Sequence, residues 1–416
     1  MGSLYVLISN LSYIFNNLII MPRFLTKAIV LLSFVSLFTD IASEMLYPIM
    51  PIFLKSIGFS VVLIGILEGL AEATAGISKG YFGHLSDRIG KRVPFVRWGY
   101  AMSALSKPMM AAFVYPIWIF FARTLDRLGK GVRNSARDAL LSDESTPETK
   151  GKVFGFHRGM DTLGAAIGPF LALLFLFFYP GQYRWLFVLA VIPGLIAISL
   201  TWLIKEKKKP ERQISNNKKV GFFSFISYWK VSNSQYKYLV IGLLVFALFN
   251  SSDVFLLLMV KHQGFSDIQM IGLYIFYNLL YALLSYPSGW LADRLGMKRI
   301  MIAGLLVFAL VYTLFGYATT LIHLIILFGL YSFYASATEG ISKAWISNLA
   351  QKEHTATAIG FYNSFQSIAA LLASSIAGLI WYGFNPTVMF IIAGFGAMLV
   401  AFYLMFSMKY SLDVSR

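Results

Sequence analysis

The 416-residue chain contains no cysteine at all, so a disulfide framework, a thiolate metal site and an iron–sulfur cluster are all excluded. It is also poor in charge, with 13% Asp, Glu, Lys and Arg where soluble globular proteins carry about a quarter. Acidic residues are scarcest, 19 against 35 Lys and Arg. The five histidines (84, 157, 262, 323 and 354) are scattered without metal-ligand spacing. No Walker A loop is present, which removes the sequence basis for direct ATP drive. What fills the chain instead is 58% hydrophobic residues, with a mean hydropathy of +0.69. Such a chain must face lipid or other apolar helices over most of its length, and an all-α polytopic membrane protein is expected.

A spanning helix needs about 20 apolar residues. Segments of that kind fall at 28–54, 60–82, 94–114, 116–138, 152–179, 184–204, 236–260, 266–290, 298–317, 320–347, 356–381 and 385–407, twelve in all. The net charge of +16 sits between these segments rather than on one soluble face, so it argues for membrane topology and against nucleic acid. Arg88, Lys91 and Arg92, then the Lys-rich stretch 205–219, then Arg294, Lys298 and Arg299 follow the second, sixth and eighth spans. The intervening loops carry only Lys55, Arg184 and Lys261, which by the positive-inside rule puts both termini in the cytoplasm. A bacterial inner membrane is the expected location.

The expected organisation is an extension over 1–27, a six-helix bundle over 28–204, a cytoplasmic linker over 205–235, a second six-helix bundle over 236–408 and a tail over 409–416. The extension is interrupted by Asn10, Asn16 and Asn17 and makes a poor signal peptide. It reads either as an interfacial helix or as a start-site extension, since Met21 could begin the chain. Gly221 to Tyr236, rich in aromatics, is expected on the cytoplasmic membrane face.

The two halves repeat. Gly83-His-Leu-Ser-Asp87-Arg88-Ile-Gly90-Lys91-Arg92 returns as Gly289-Trp-Leu-Ala-Asp293-Arg294-Leu-Gly296-Met-Lys298-Arg299. Gly58-Phe59-Ser60 returns as Gly264-Phe265-Ser266, and Gly155-Phe156 as Gly360-Phe361, all at about the same offset. At these residues the chain resembles the major facilitator superfamily, whose signature between spans two and three is G-x-L-x-D-R-x-G-R-R or close to it. Leu46-Tyr47-Pro48-Ile49-Met50-Pro51, Arg127-Leu-Gly-Lys130-Gly131 and Gly164-Ala-Ala-Ile-Gly168-Pro169 are similar to motifs of its proton-coupled drug antiporters. Lys130 stands where that pattern has Gln, and Ala172 and Leu173 stand where paired glycines are expected.

The resemblance implies two six-helix bundles around a cavity lined by spans one, four, seven and ten, working by alternating access. It also implies a cytoplasmic gate at Gly83, Asp87, Arg88, Gly90 and Arg92 and at Gly289, Asp293, Arg294, Gly296 and Arg299. There the Asp residues can meet helix N-terminal amides, and the Arg residues can pair with carboxylates across the gate. By the same residue match, Arg127 is tied to proton coupling.

Ionisable residues inside spans are costly and normally face a cavity or a partner. Span four draws a stripe of Arg123, Arg127, Lys130, Asn134 and Arg137 at steps of four and three. The stripe is open to three readings: an anion-binding wall, an internal salt-bridge network, or residues snorkelling to the interface, chiefly Arg133 and Arg137. An Asp40 to Arg127 contact is within reach of the helix geometry.

Candidate proton carriers are Asp40, Glu44, Glu68, Glu72, Asp161 and Glu339, with Asp40 and Glu72 first. Candidate substrate residues are Arg123, Arg127, Lys130, Asn134, Asn250, Tyr281, Lys343 and Asn363. The second half is quieter in charge, so coupling is expected in the first. The leading expectation is a proton-coupled carrier of a small organic anion, such as a carboxylate metal chelate or siderophore. The alternative is a drug or metabolite efflux antiporter, and a non-transporting sensor on the same scaffold is a third. A monomer in a lipid bilayer is expected, with protons and a small solute as partners and no cofactor or catalytic residue.

Overall fold

A computed structural model describes residues 24–47, 49–50, 53–54, 57–113, 115–206 and 221–407. The described part is all helix and connections, without a β-sheet. We number the long helices α1 (Lys27–Glu44), α2 (Val61–Ile89), α3 (Val93–Ala112), α4 (Pro116–Asp143) and α5 (Lys150–Phe178). They continue as α6a (Tyr183–Leu189), α6b (Val191–Trp202), α7a (Ser234–Phe249), α7b (Val254–His262), α8 (Asp267–Leu295), α9 (Met297–Phe315), α10 (Leu321–Leu349), α11 (Thr355–Gly383) and α12 (Pro386–Ser407). From α5 to α12 each helix, counting broken pairs as one, is long and apolar enough to cross a membrane. Apolar residues such as Ile117, Phe177, Leu283, Leu379 and Phe406 point outward, as a lipid-facing surface requires.

The helices form two lobes. One buried core is drawn from Phe225 to Leu404, the other two almost wholly from the residues before Lys205. Inside the first lobe α1 packs on α5 and α6b, and α4 on α2 and α3; inside the second, α8 packs on α10 and α9 on α10 and α12. Between lobes α5 meets α8 and α2 meets α11. These crossings are close because glycines line them: a Cβ on Gly151, Gly155, Gly83 or Gly360 would run into backbone oxygens of Gly289, Ser285, Ala356 or Lys79 respectively.

Helix limits follow local chemistry. The side chains of Ser60 and Ser266 cap α2 and α8, the latter in a full capping box with Gln269. Gly90 (φ +71°) and Gly296 (φ +94°) end those helices in a conformation costly to a residue with a Cβ. These glycines, not the end of the apolar run, set the stop, so α2 and α8 extend beyond the expected 82 and 290.

Three expected spans are not continuous helix. The first, expected to 54, is interrupted after Glu44 and is helical again at Met50, Phe53 and Leu54. The sixth breaks at Ala190, three residues before Pro193, whose missing N–H removes a helical bond. The seventh breaks at Asn250-Ser-Ser-Asp253, a run of side chains that compete with backbone hydrogen bonding.

Residues 1–23 of the extension, 207–220 of the linker and the tail lie outside the described residues, as do Pro48 and Pro51. The aromatic segment before α7a forms a short turn of 3-10 helix, Ser224–Ser227, and a helical turn, Tyr228–Val231. It lies against both lobes: Phe225 covers Gly80 of α2, while Trp229 stacks on Phe361 of α11 with ring centroids 5.5 Å apart. Burial, with the carboxylate of Asp87 nearby, pushes the Tyr228 phenol up to about 12.

Candidate functional site

The α4 stripe is buried. Arg123, Asp126 and Arg127 are each below a tenth exposed, on a helix otherwise able to pack only because carboxylates meet its cations. Arg127 Nη1 lies 2.9 Å from Glu72 Oε1 of α2. Asp126 receives Lys107 Nζ of α3 at 3.4 Å and Arg123 Nη1 at 3.5 Å. A cavity of about 100 Å³ opens beside them, lined by Glu44, Tyr47, Met50, Glu72, Lys107, Arg123, Asp126, Arg127 and Lys130 among others. Four cations there face three carboxylates. Lys130 makes no ion pair with a described residue, but its charge acts on Asp40, Glu44 and Glu72.

The expected Asp40 to Arg127 contact is replaced by a different one. Asp40 faces Asp161 of α5 within hydrogen-bond reach, because Gly164, one turn along α5, lets that helix press against Asp40 and Leu37 of α1. The side chain of Glu68 lies outside those described. Asn134 is half-buried on α4, Asn250 sits at the break in α7, and Asn363 is buried on α11 beside α2; none of them lines the cavity.

Deeper in, a polar circuit leaves α10 at Glu339 and returns to it at Lys343. Arg158 Nη2 of α5 pairs with Glu339 Oε2 at 2.6 Å, and its Nη1 with Asp161 Oδ2 at 2.7 Å. The Arg158 Nε donates to the hydroxyl of Tyr281 on α8 at 2.6 Å. Ser36 of α1 donates to Asp161 and accepts from Arg137 Nη1 of α4 at 3.2 Å. Arg137 pairs at 2.9 Å with Asp138, whose other oxygen is 3.1 Å from Lys343 Nζ. The circuit crosses between lobes twice. Arg137, read from sequence as gate or snorkelling, is 6% exposed and holds Asp138 inside it.

Arg158 and Asp138 were absent from the sequence-based candidates. The Arg158–Asp161 spacing of i, i+3 in an apolar span was the available signal.

The repeats form the other inter-lobe contact. Asp87 accepts from Thr357 N and Thr357 Oγ1, both at 2.6 Å, and from Ala356 N at 3.4 Å, in the first turn of α11. Asp293 accepts from Gly151 N at 2.7 Å and Lys152 N at 2.9 Å, in the first turn of α5. Each carboxylate thus neutralises the positive end of a helix in the opposite lobe. Two of the gate arginines have partners on their own lobe. Arg92 folds back onto Asp87 of its own lobe, with Ser86 at 3.0 Å and Asp143 at 3.5 Å, and Arg294 lies over Trp290 with 4.2 Å to the ring centroid. A guanidinium needs in-plane acceptors, and the acceptors opposite are taken by helix amides. Among the described residues no cluster of three or more His, Asp or Glu could hold a metal ion.

The family described as Major Facilitator Superfamily matches residues 32–279 and 259–413. An uncharacterized MFS-type transporter of Methanocaldococcus jannaschii is 34% identical, covering 86% of this chain and 89% of that one. A protein of Streptococcus pneumoniae named as a multi-drug resistance efflux pump is 24% identical, over 71% of this chain and 73% of its own. The solved structure of a human organic anion transporter superposes with a TM-score of 0.75 at 16% identity, covering 92% of this chain and all of that one.

Proposed function

The chain belongs to the Major Facilitator Superfamily, and from that premise we propose that this multi-pass secondary active transporter is a proton-driven efflux antiporter of small organic solutes. The observation that carries the reading is the pairing of the α4 stripe. Arg127 is matched by Glu72, and Arg123 and Lys107 by Asp126, so the cavity wall is nearly charge-balanced rather than an anion trap. A balanced wall suits solutes of mixed or positive charge, whose entry displaces one partner of a pair. The likeness to a named multi-drug efflux pump supports the same choice.

In this reading the chain spans the membrane twelve times as a monomer, with bundles over 28–204 and 236–408, a linker over 205–235 and both ends in the cytoplasm of a bacterial-type inner membrane. The end bearing Asp87 and Asp293 is the cytoplasmic gate, since the basic loops cluster there. The lobes are shut at that end, so the cavity beside Arg127 belongs to an outward-facing or occluded state. Arg123, Arg127 and Lys130, with Glu44 and Glu72, contact solute, while Asp40 and Asp161 handle the proton.

A second reading, transport of a small organic anion, is favoured by Lys130, the cavity cation without an ion pair among the described residues. Everted vesicles acidified inside decide between them. Under the first reading, ethidium collapses the pH gradient, a labelled dicarboxylate does not, and Arg127→Ala abolishes the effect. Under the second the two probes exchange roles. Ethidium accumulation that persists after a protonophore refutes proton drive.

A further inference from the structure

Resting on the reading of the cavity beside Arg127 as the solute site, we propose that it takes a zwitterion, with the anionic end on Lys130 of α4 and the ammonium end on Glu44 of α1. Among the described residues seven charged side chains line this cavity, all in the first lobe. Five of them are matched within the wall itself. Arg127 Nη1 stands 2.9 Å from Glu72 Oε1, and Asp126 lies between Lys107 Nζ at 3.4 Å and Arg123 Nη1 at 3.5 Å. The two left over, Glu44 and Lys130, are opposite in sign. Both are half-buried, and neither side chain makes a hydrogen bond or ion pair with a described residue.

An ionised group within the membrane needs a partner or a polar cavity. Lys130 by itself would select an anion. Glu44, unmatched on the same wall, adds a demand for a cationic group. A solute with only one charge answers one of the two and brings a like charge towards the other. A zwitterion answers both.

The rest of the lining suits such a solute. Ser43, next to Glu44 in the chain, has a buried hydroxyl bonded to no described residue. Buried polar groups normally have a partner, and a hydroxyl serves an ammonium as acceptor or a carboxylate as donor. Leu46, Met50 and Met110 are buried apolar residues of the same wall, against which the carbon chain between the two charges can lie. A permanent cation such as ethidium engages Glu44 alone and is the poorer ligand of the site.

Unbranched ω-amino acids of increasing length, from glycine to aminooctanoate, cover the range of charge spacings, each set beside the alkanoate and the alkylamine of the same length. At about pH 7 all of them are ionised. Thermal unfolding of the whole protein in nanodiscs is followed as each probe is titrated, since a ligand of the native state raises the unfolding temperature. At one chain length or more, the zwitterion is expected to reach half of its effect at about a tenfold lower concentration than either singly charged counterpart. Glu44→Gln should bind the alkanoate as well as it binds the zwitterion, and Lys130→Gln should do the same for the alkylamine. A variant that merely misfolded would gain neither preference. A parent in which no ω-amino acid outperforms its counterparts overturns the proposal, and so do variants that keep the parent's order of preference. Binding is read without a gradient, so the two readings fail separately. Vesicles that exchange no protons for solute would refute antiport and leave the zwitterion preference standing, whereas ethidium-driven proton exchange in a protein without that preference would refute this inference alone.

Discussion

Replacing Asp87 by Asn is the perturbation whose size the structure defines best. In the closed gate Asp87 accepts from Thr357 N and Thr357 Oγ1, both at 2.6 Å, and more weakly from Ala356 N at 3.4 Å, and it pairs with Arg92, which stays on its own lobe. Only the bonds to Thr357 and Ala356 are lost when α2 and α11 separate, so only they bias the closed state. Hydrogen bonds to a charged group contribute about 1.5–3 kcal/mol each, and an amide oxygen retains part of this. A loss of about 3 kcal/mol is expected, which shifts the closed-to-open ratio about a hundredfold. Thr357→Val removes one of the three donors, a short one, and should shift it about tenfold. Combined with Asp87→Asn it should add less than its separate effect, because the two residues share a bond. The chain has no cysteine, so spin labels at Lys91→Cys and Lys352→Cys, exposed positions after α2 and before α11 on opposite lobes, read all three ratios. An unchanged ratio in Asp87→Asn, or full additivity with Thr357→Val, refutes the argument that the carboxylate itself latches the lobes.

Other outcomes follow from the same contacts. Gly289→Val places side-chain atoms where Gly151 O and Gly155 Cα stand, so the gate should fail to close, and transport should fall while folding, followed by size-exclusion chromatography, persists. Lys107→Met leaves Asp126 buried with Arg123 as its remaining close partner; thermal unfolding in detergent should register a loss of about 3 kcal/mol, whereas Lys107→Met with Asp126→Leu should recover most of it. Glu206 accepts from the backbone N–H groups of Arg92 at 2.6 Å and Val93 at 3.2 Å, so Glu206→Ala uncaps α3 and should cost about 1 kcal/mol in the same melt.

Much of this protein could be read in one dimension. Apolar runs separated by basic loops are enough to specify long membrane helices, because each helix satisfies its own backbone bonds and needs nothing from its neighbours. The Gly83 to Arg92 motif and its copy at Gly289 likewise announced two related halves, and their Asp residues meet helix ends as expected. Helix breaks were harder. The Asn250 to Asp253 run, like the one at Ala190 near Pro193, was a visible local signal hidden inside an apolar segment.

The pairing of charge belonged to tertiary structure alone. Periodicity placed Arg123, Arg127 and Lys130 on one face of α4, but which carboxylate neutralises each depends on how α2, α3 and α5 pack around that face. Asp40 was in reach of Arg127 on helix geometry; the glycines at 164 and 168 drew α5 closer and gave it Asp161 instead. The same packing turned Arg158, one more charge in an apolar span, into the link between the lobes. A sequence determines which residues must find a partner or a polar cavity in a membrane, since a charge facing lipid there is too costly to keep. Only the crossing of helices decides which partner each one finds, because that choice rests on approaches of a few ångströms between residues far apart in the chain.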